Sequence, residues 1–214
     1  MKKFMNWMFA AILICGASMV VTSCGDDDDD NNKGSERTPN TYEVTVTAIL
    51  HKCTAEFFNL DVEYTDADGK KSTVTVKAGD QSETLSQEAS TIYHKQSDLV
   101  AAAVDDGNGV NKAEFEKYIV KNIKITVPEG KKISFAGTAR ARKDYTLTSQ
   151  YANIITPVVF STCKLVSGNS PDMAMSGYSG VMKISAYMGV ETSHLEEMFS
   201  TLDGLNAGKG EINM

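Results

Sequence analysis

The chain has 214 residues, with 28 Asp and Glu against 21 Lys and Arg and a formal charge of −7. That balance excludes the basic face on which nucleic-acid binding depends. It leaves room for a single folded domain of about 165 residues once a polar, charge-rich N-terminal region is set aside.

Residues 1–23 read as a secretory signal. Lys2 and Lys3 give a positive start, Phe9 to Val21 is an apolar run, and small residues precede a cleavage point. The run is too short, and wrongly flanked, for a stable spanning helix. Val21-Thr22-Ser23-Cys24 then places a cysteine directly after the small residue Ser23. This stretch resembles the lipobox of bacterial lipoproteins, although Val21 stands where leucine is commonest. The resemblance implies that Cys24 becomes the mature N-terminus and carries palmitate-type acyl chains. At about 0.8 kcal/mol per buried CH₂, more than one chain makes a durable anchor. Gly25 is followed by Asp26, Asp27, Asp28, Asp29 and Asp30. With the lipobox, this run resembles the acidic export signal of Bacteroidetes-type surface lipoproteins, which implies an outer-membrane address facing the cell exterior. A solvated spacer is the competing reading of the same charges. The resemblance covers residues 1–30 and says nothing of the fold beyond.

Residues 31–40 contain no apolar side chain, so residues 24–40 form a lipidated, disordered tether with a coil span on the order of 20–25 Å. Residues 41–214 form the domain, with 22 acids against 17 Lys and Arg. An acidic body leaves the anchoring to lipid, so outer-membrane lipid is the first partner expected, through the acyl groups on Cys24.

Within the domain, Tyr42, Val44, Val46, Ala48 and Leu50 alternate with polar or smaller residues, as a strand with one buried face does. Phe58, Leu60, Val62 and Tyr64 repeat the alternation, Asp66-Ala67-Asp68-Gly69 forms a turn, and Val74 and Val76 continue a partner strand. Residues 78–90 are polar and turn-rich. Asp98–Val104 predicts a short helix with Leu99, Val100, Ala103 and Val104 on one side, and Asn111–Ile119 a second one. Ile123, Ile125 and Val127, then Pro128-Glu129-Gly130, then Ile133, Phe135, Gly137 and Ala139 read as a second hairpin. Ile154–Leu165 reads as one central strand, 168–180 as a loop, and Met182 to Met188 as the last strand. Ser193 with Glu196 predicts a capped helix whose stripe is Leu195, Met198, Phe199 and Leu202, stopped by Gly204, with 206–214 frayed. About seven strands with two or three short helices predict a mainly β fold, an antiparallel sandwich of immunoglobulin-like or transthyretin-like type.

Chemistry-bearing candidates are few. Cys53 and Cys163 are the thiols left for a disulfide in an oxidising compartment, with two buried free thiols as the alternative. Asp105-Asp106-Gly107-Asn108-Gly109 has the look of a Ca²⁺ loop, but aligning Gly109 with the loop's glycine leaves Val104 and Phe115 at the two end positions, where oxygens are required. All six methionines of the mature chain follow residue 172, and those on strand and helix faces read as core rather than metal ligands. His51, His94 and His194 lack metal spacing, and no nucleophile elbow, phosphate loop or Cys-x-x-Cys pair is present. No metal, cofactor or catalytic residue is therefore assigned. Tyr145, Tyr151 and Tyr178 in loop-like stretches, with Arg140 and Arg142, are the candidates for binding a glycan. The functional expectation is a non-catalytic surface binding protein for an extracellular glycan or protein partner. Its rivals are a structural or adhesive subunit of fimbrial type and a hydrolase whose site is assembled from distant residues. An adhesive subunit would show an open sheet edge or a displaceable terminal strand.

The anchor is testable directly. A Cys24→Ser chain should leave the membrane fraction, and the native mature chain should begin at Cys24 with acyl mass attached; an intact mass without fatty acid contradicts the lipobox.

Overall fold

A computed structural model describes residues 38–168 and 183–214. Cys24, the run Asp26–Asp30, Tyr178 and Met182 lie outside the described residues. Strand accounts for 46% and helix for 24%, which makes the fold mainly β. Among the described residues there are nine strands: β1 (Thr41–His51), β2 (Phe58–Thr65), β3 (Lys71–Val76), β4 (Tyr118–Pro128), β5 (Lys132–Ala141), β6 (Tyr151–Ile155), β7 (Val158–Ser167), β8 (Ala186–Glu191) and β9 (Asn206–Asn213). The helices are α1 (Lys52–Ala55), α2 (Gln87–Ala103), α3 (Val110–Ala113) and α4 (Leu195–Leu202). One sheet has the order β4-β1-β7 and faces a second of order β3-β2-β5-β9; a two-stranded ribbon, β6-β8, closes one side. All pairings are antiparallel. The expected sandwich is the fold found.

The sandwich core comes from inward alternation. Val44, Val46, Ala48 and Leu50 of β1 meet Leu60 and Val62 of β2, Ile133 and Phe135 of β5, and Ile123, Ile125 and Val127 of β4. Each such side chain stabilises by about 1.5–3 kcal/mol on burial. From Val46 to His51, β1 is buried on both faces, because α2 covers the outer side. The α2 residues that do this are Ala89, Tyr93, Ser97, Val100 and Ala101, which recur at helical spacing. A third apolar cluster places α4, through Leu195, Phe199 and Leu202, over Phe58, Ala139 and Ile154.

The first hairpin forms as read. Gly69 takes φ 80°, its N–H donates to the Asp66 carbonyl at 3.0 Å, and Asp66 Oδ1 accepts the N–H groups of Asp68 and Lys70. The second does not. β4 pairs with β1, whereas β5 pairs with β2 and β9, so Pro128–Lys131 is an arch between sheets. Alternation is the same for a hairpin and an arch, and turn chemistry does not name the partner strand. The expected strand 154–165 is split at Thr156-Pro157, where proline supplies no ladder N–H and β6 and β7 diverge into different sheets.

Helical boundaries also move. α2 begins eleven residues before the expected helix at Asp98, capped by Ser86, whose Oγ accepts the Ala89 N–H at 3.1 Å. Leu99 consequently faces solvent at 52% exposure. Asn111 does not cap: Gly109 precedes α3 with φ 73°, and strand β4 already starts at Tyr118. Ser193 lies in a 3-10 turn and makes no capping bond, although the apolar stripe of α4 is as expected. Residues 206–213 are an ordered edge strand rather than a frayed end.

Gly137 shows how tightly the sheets meet. A Cβ there would lie 2.4 Å from Cγ2 of Val159 and 3.3 Å from Cβ of Ala207. Gly137→Ala should cost about 1–3 kcal/mol through overpacking, read as a loss of several degrees in Tm. Val159→Ala in the same chain should recover part of that loss, whereas additive losses would place the strain elsewhere.

Candidate functional site

A buried polar group lies where β1 ends under α2. His51 is fully buried, and its Nε2–H donates to Tyr93 Oη at 2.7 Å. Tyr93 O–H donates in turn to the Phe115 carbonyl at 3.0 Å. Because the single hydroxyl proton is committed to Phe115, the imidazole carries its proton on Nε2. Nδ1 is then a buried acceptor with no partner. Phe115 and Tyr118 pack edge-on to the imidazole at centroid distances of 5.9 and 6.3 Å. Burial drives the His51 pKa down to about 3, so the ring is neutral, and burial raises the Tyr93 pKa. Just beyond β1, Thr54 Oγ1 donates to the Ile155 carbonyl at 2.7 Å and accepts the Ile155 N–H at 2.8 Å, tying α1 to β6.

Cys53 and Cys163 are free thiols. Cys163 sits on β7 opposite Val44, and Cys53 follows the far end of β1. Seven residues of strand separate Val44 from His51, roughly 23 Å. That far exceeds the 4.4–6.8 Å span of a disulfide, so the expected alternative of a Cys53–Cys163 pair is not formed. Burial raises both thiols to about 11, which keeps them protonated and poorly nucleophilic.

The glycan candidates do not converge. Arg142 grips Asp144 through Nε and Nη2, at 3.0 Å each, and donates through Nη1 to the Ala55 carbonyl at 3.1 Å. Tyr145 stacks edge-on against Phe199 at 5.0 Å and Phe57 at 5.8 Å. These two are a clasp between the ends of β2 and β5 and helix α4. Arg140 lies 3.7 Å from Asp61 across the sheet. Among the described candidates Tyr151 is the exposed ring, at 54%, where β6 opens opposite Glu191. The Asp105–Gly109 loop spends its oxygens locally: Asp105 Oδ1 accepts the Gly107 N–H, and Asp106 Oδ1 those of Asn108 and Val110. Among the described residues, no group of three or more His, Cys, Asp or Glu is gathered to hold a metal ion.

What the structure does present is sheet edge. The β4 edge is covered by Ser82–Thr84: Glu83 N–H donates to the Val120 carbonyl at 3.0 Å, Asn122 N–H donates to Glu83 Oε2 at 2.8 Å, and Lys121 pairs with Glu83. β9 forms one edge of the larger sheet, with a bulge at Gly137–Thr138 in its pairing. β3 forms the other. It pairs with β2 over six residues without a register shift, and among the described residues nothing hydrogen-bonds to the backbone of its outer side. Its sequence, Lys71-Ser72-Thr73-Val74-Thr75-Val76, is β-branched, with no proline and one charge at its start. Edges are normally blunted by charge, proline, bulge or cover, and Ser72–Val76 of β3 carries no charge, proline or bulge. Sequence reading missed this edge because pairing is a tertiary property; it missed His51–Tyr93 because α2 was not extended back to residue 93.

Comparisons with family models, with curated proteins and with solved structures return no match.

Stability should fall as acid is added. Below the unfolded histidine pKa of about 6.5, the unfolded chain takes up a proton that folded His51 refuses until about pH 3. The limiting slope is about 1.4 kcal/mol per pH unit across that window. The stability of His51→Leu relative to the native chain should therefore rise as pH falls from 7 to 5; a pH-independent difference in urea unfolding refutes the buried neutral ring.

Proposed function

We propose that this is a lipid-anchored cell-surface binding protein that acts without catalysis and takes a protein partner by strand addition at β3. The observation that carries the reading is the regular β3 edge, which has no backbone hydrogen bond on its outer side among the described residues and offers main-chain donors and acceptors to an extended segment; the subunit reading shares this edge, so the two differ in whether a second copy or another protein occupies it. The address rests on Cys24 and Asp26–Asp30. The glycan form of the reading loses support, because Arg142 is tied to Asp144 and Ala55 and Tyr145 is packed into the α4 cluster.

A structural or adhesive subunit is the second reading, and β9 favours it. Among the described residues, β9 sits at a sheet edge and pairs with the larger sheet through β5. It carries Gly208 and Gly210, and strand glycines weaken a ladder. A strand so placed is suited to exchange between copies.

A photoreactive residue at position 75 on β3, compared with one at position 95 on the exposed side of α2, separates these readings on intact cells. An adduct to another surface protein from position 75 and not from 95 is expected. An adduct of twice the chain mass points to the subunit reading, and equal labelling from both positions removes strand addition.

A further inference from the structure

In the loop between α2 and α3, the aspartates hold the backbone on either side of Gly109 and skip Gly109 itself. Asp105 Oδ1 accepts the Gly107 N–H at 3.1 Å, and Asp106 Oδ1 accepts the N–H groups of Asn108 at 3.1 Å and Val110 at 3.2 Å. The Gly109 N–H, between those two, has no hydrogen-bond partner among the described residues. Gly109 takes φ 73°, and a Cβ built there would meet no atom within 4 Å, so solvent reaches the backbone from that side. Asn108 is exposed, and its side-chain amide makes no hydrogen bond among the described residues. An unbonded main-chain N–H and an unbonded amide carbon thus stand one residue apart, both in water.

That pairing is chemically active. Groups held within one short stretch of chain react at high effective molarity, and a following residue without a Cβ leaves its nitrogen unshielded. Asparagine is among the thermolabile residues for this reason. The other described asparagines are protected. Asn111, Asn122, Asn153 and Asn206 each have a bonded side-chain amide, and Asn40 is buried. Asn59 and Asn213 are followed by Leu60 and Met214, whose side chains crowd the nitrogen.

We propose that Asn108 is a site of self-modification. The Gly109 nitrogen gives up its proton to hydroxide and attacks Cγ of Asn108. The Cγ–Nδ2 bond breaks, and Nδ2 leaves as ammonia, carrying a proton from water. The cyclic imide that remains is opened by water at either carbonyl. Opening at Cγ leaves aspartate at position 108, and opening at the main-chain carbonyl leaves isoaspartate, with the chain running through Cγ. No electrons are exchanged, and water is the only co-reactant. In both products a carboxylate joins Asp105 and Asp106. In the isoaspartate form the backbone also gains a methylene between the two N–H groups that Asp106 Oδ1 accepts together, so that fork is lost. The step is independent of what β3 binds.

The test incubates the full mature lipoprotein in neutral detergent micelles and mildly alkaline buffer, then maps its peptides under acid conditions. Asn108 should convert at least about ten-fold faster than any other described asparagine, a barrier difference of about 1.4 kcal/mol. Ammonia should be released in step, aspartate and isoaspartate should both form, and the new oxygen should come from isotopically labelled water. The chain unfolded in urea gives the same reaction without the fold, and the folded rate should stay within about ten-fold of it. The Val110 amide resonance should shift as product accumulates, while those of β1 stay in place. Gly109→Ala should slow the conversion about ten-fold, and an unchanged rate in that variant removes the main-chain nitrogen as nucleophile. Persistence of Asn108 in the folded chain while the unfolded chain converts, conversion spread evenly over the asparagines, or aspartate formed without isoaspartate overturns the cyclisation.

Discussion

The fold depends on a single strand that has no solvent side over half its length. β1 is the middle strand of its sheet, and from Val46 to His51 it presses one row of side chains into the sandwich and the other against α2. Burial on both faces is usual for strands of parallel sheets and uncommon in an antiparallel one. It arises here because a helix, rather than water, covers the outer face. Both layers therefore rest on the same backbone, and polar groups along it must be satisfied internally. Thr47 finds Asn122 at 3.0 Å, and His51 finds Tyr93.

The His51–Tyr93–Phe115 chain has the residue types of a proton relay but the surroundings of a structural bolt. Apolar rings surround the imidazole, and no carboxylate is bonded to its Nδ1. A histidine that serves in acid–base chemistry needs a pKa near working pH and a path for the proton. Here desolvation moves the pKa the other way, and the tyrosine passes its proton to a carbonyl that has none to exchange. The cluster fixes α2, by way of Tyr93, to the turn before β4. Specific hydrogen bonds inside an apolar layer also set the register of helix on sheet, which apolar contacts alone leave loosely defined.

Much of this was legible in the letters, and the gaps have physical causes. Period-two alternation located β1, β2, β3, β4 and β5, since each has one face toward the sandwich. It did not reveal that β4 and β5 belong to different sheets, because the pattern records facing and not pairing. The helix α2 was read only from its C-terminal part, since Ser, Thr, Gln and His dilute its apolar stripe; the sparse positions Ala89, Tyr93 and Ser97 sit on the buried side. The last strand escaped notice because Gly208 and Gly210 lower strand propensity and only register with β5 holds it. The tyrosine–arginine constellation was assembled from loop-like composition, yet two of its members hold the ends of strands together. One signal for that use was present: Arg142 and Asp144 are two residues apart at the end of a strand, close enough to pair with each other first.

The sheet edges and the charges beside them belong to one account of which backbone is left open. The β4 edge is covered at Val120–Asn122 by a segment that contributes Glu83 to Lys121, so a run of unpaired backbone is removed and a lysine is neutralised together. β9 is bulged and lies over β7 so closely that a Cβ on Gly208 would fall 1.9 Å from the Val159 carbonyl oxygen. Among the described residues, β3 keeps a straight backbone with no hydrogen bond on its outer side, and its charges are confined to Lys70–Lys71 at one end and Lys77 at the other. Lysine at the ends of an edge deters a like strand, because self-pairing in antiparallel register brings those charges toward each other. The same lysines do not deter a segment with acids at its ends. Under the proposed strand addition, an edge left open in its middle and charged at its margins would discriminate among partners by charge, a selectivity that main-chain hydrogen bonds alone do not have.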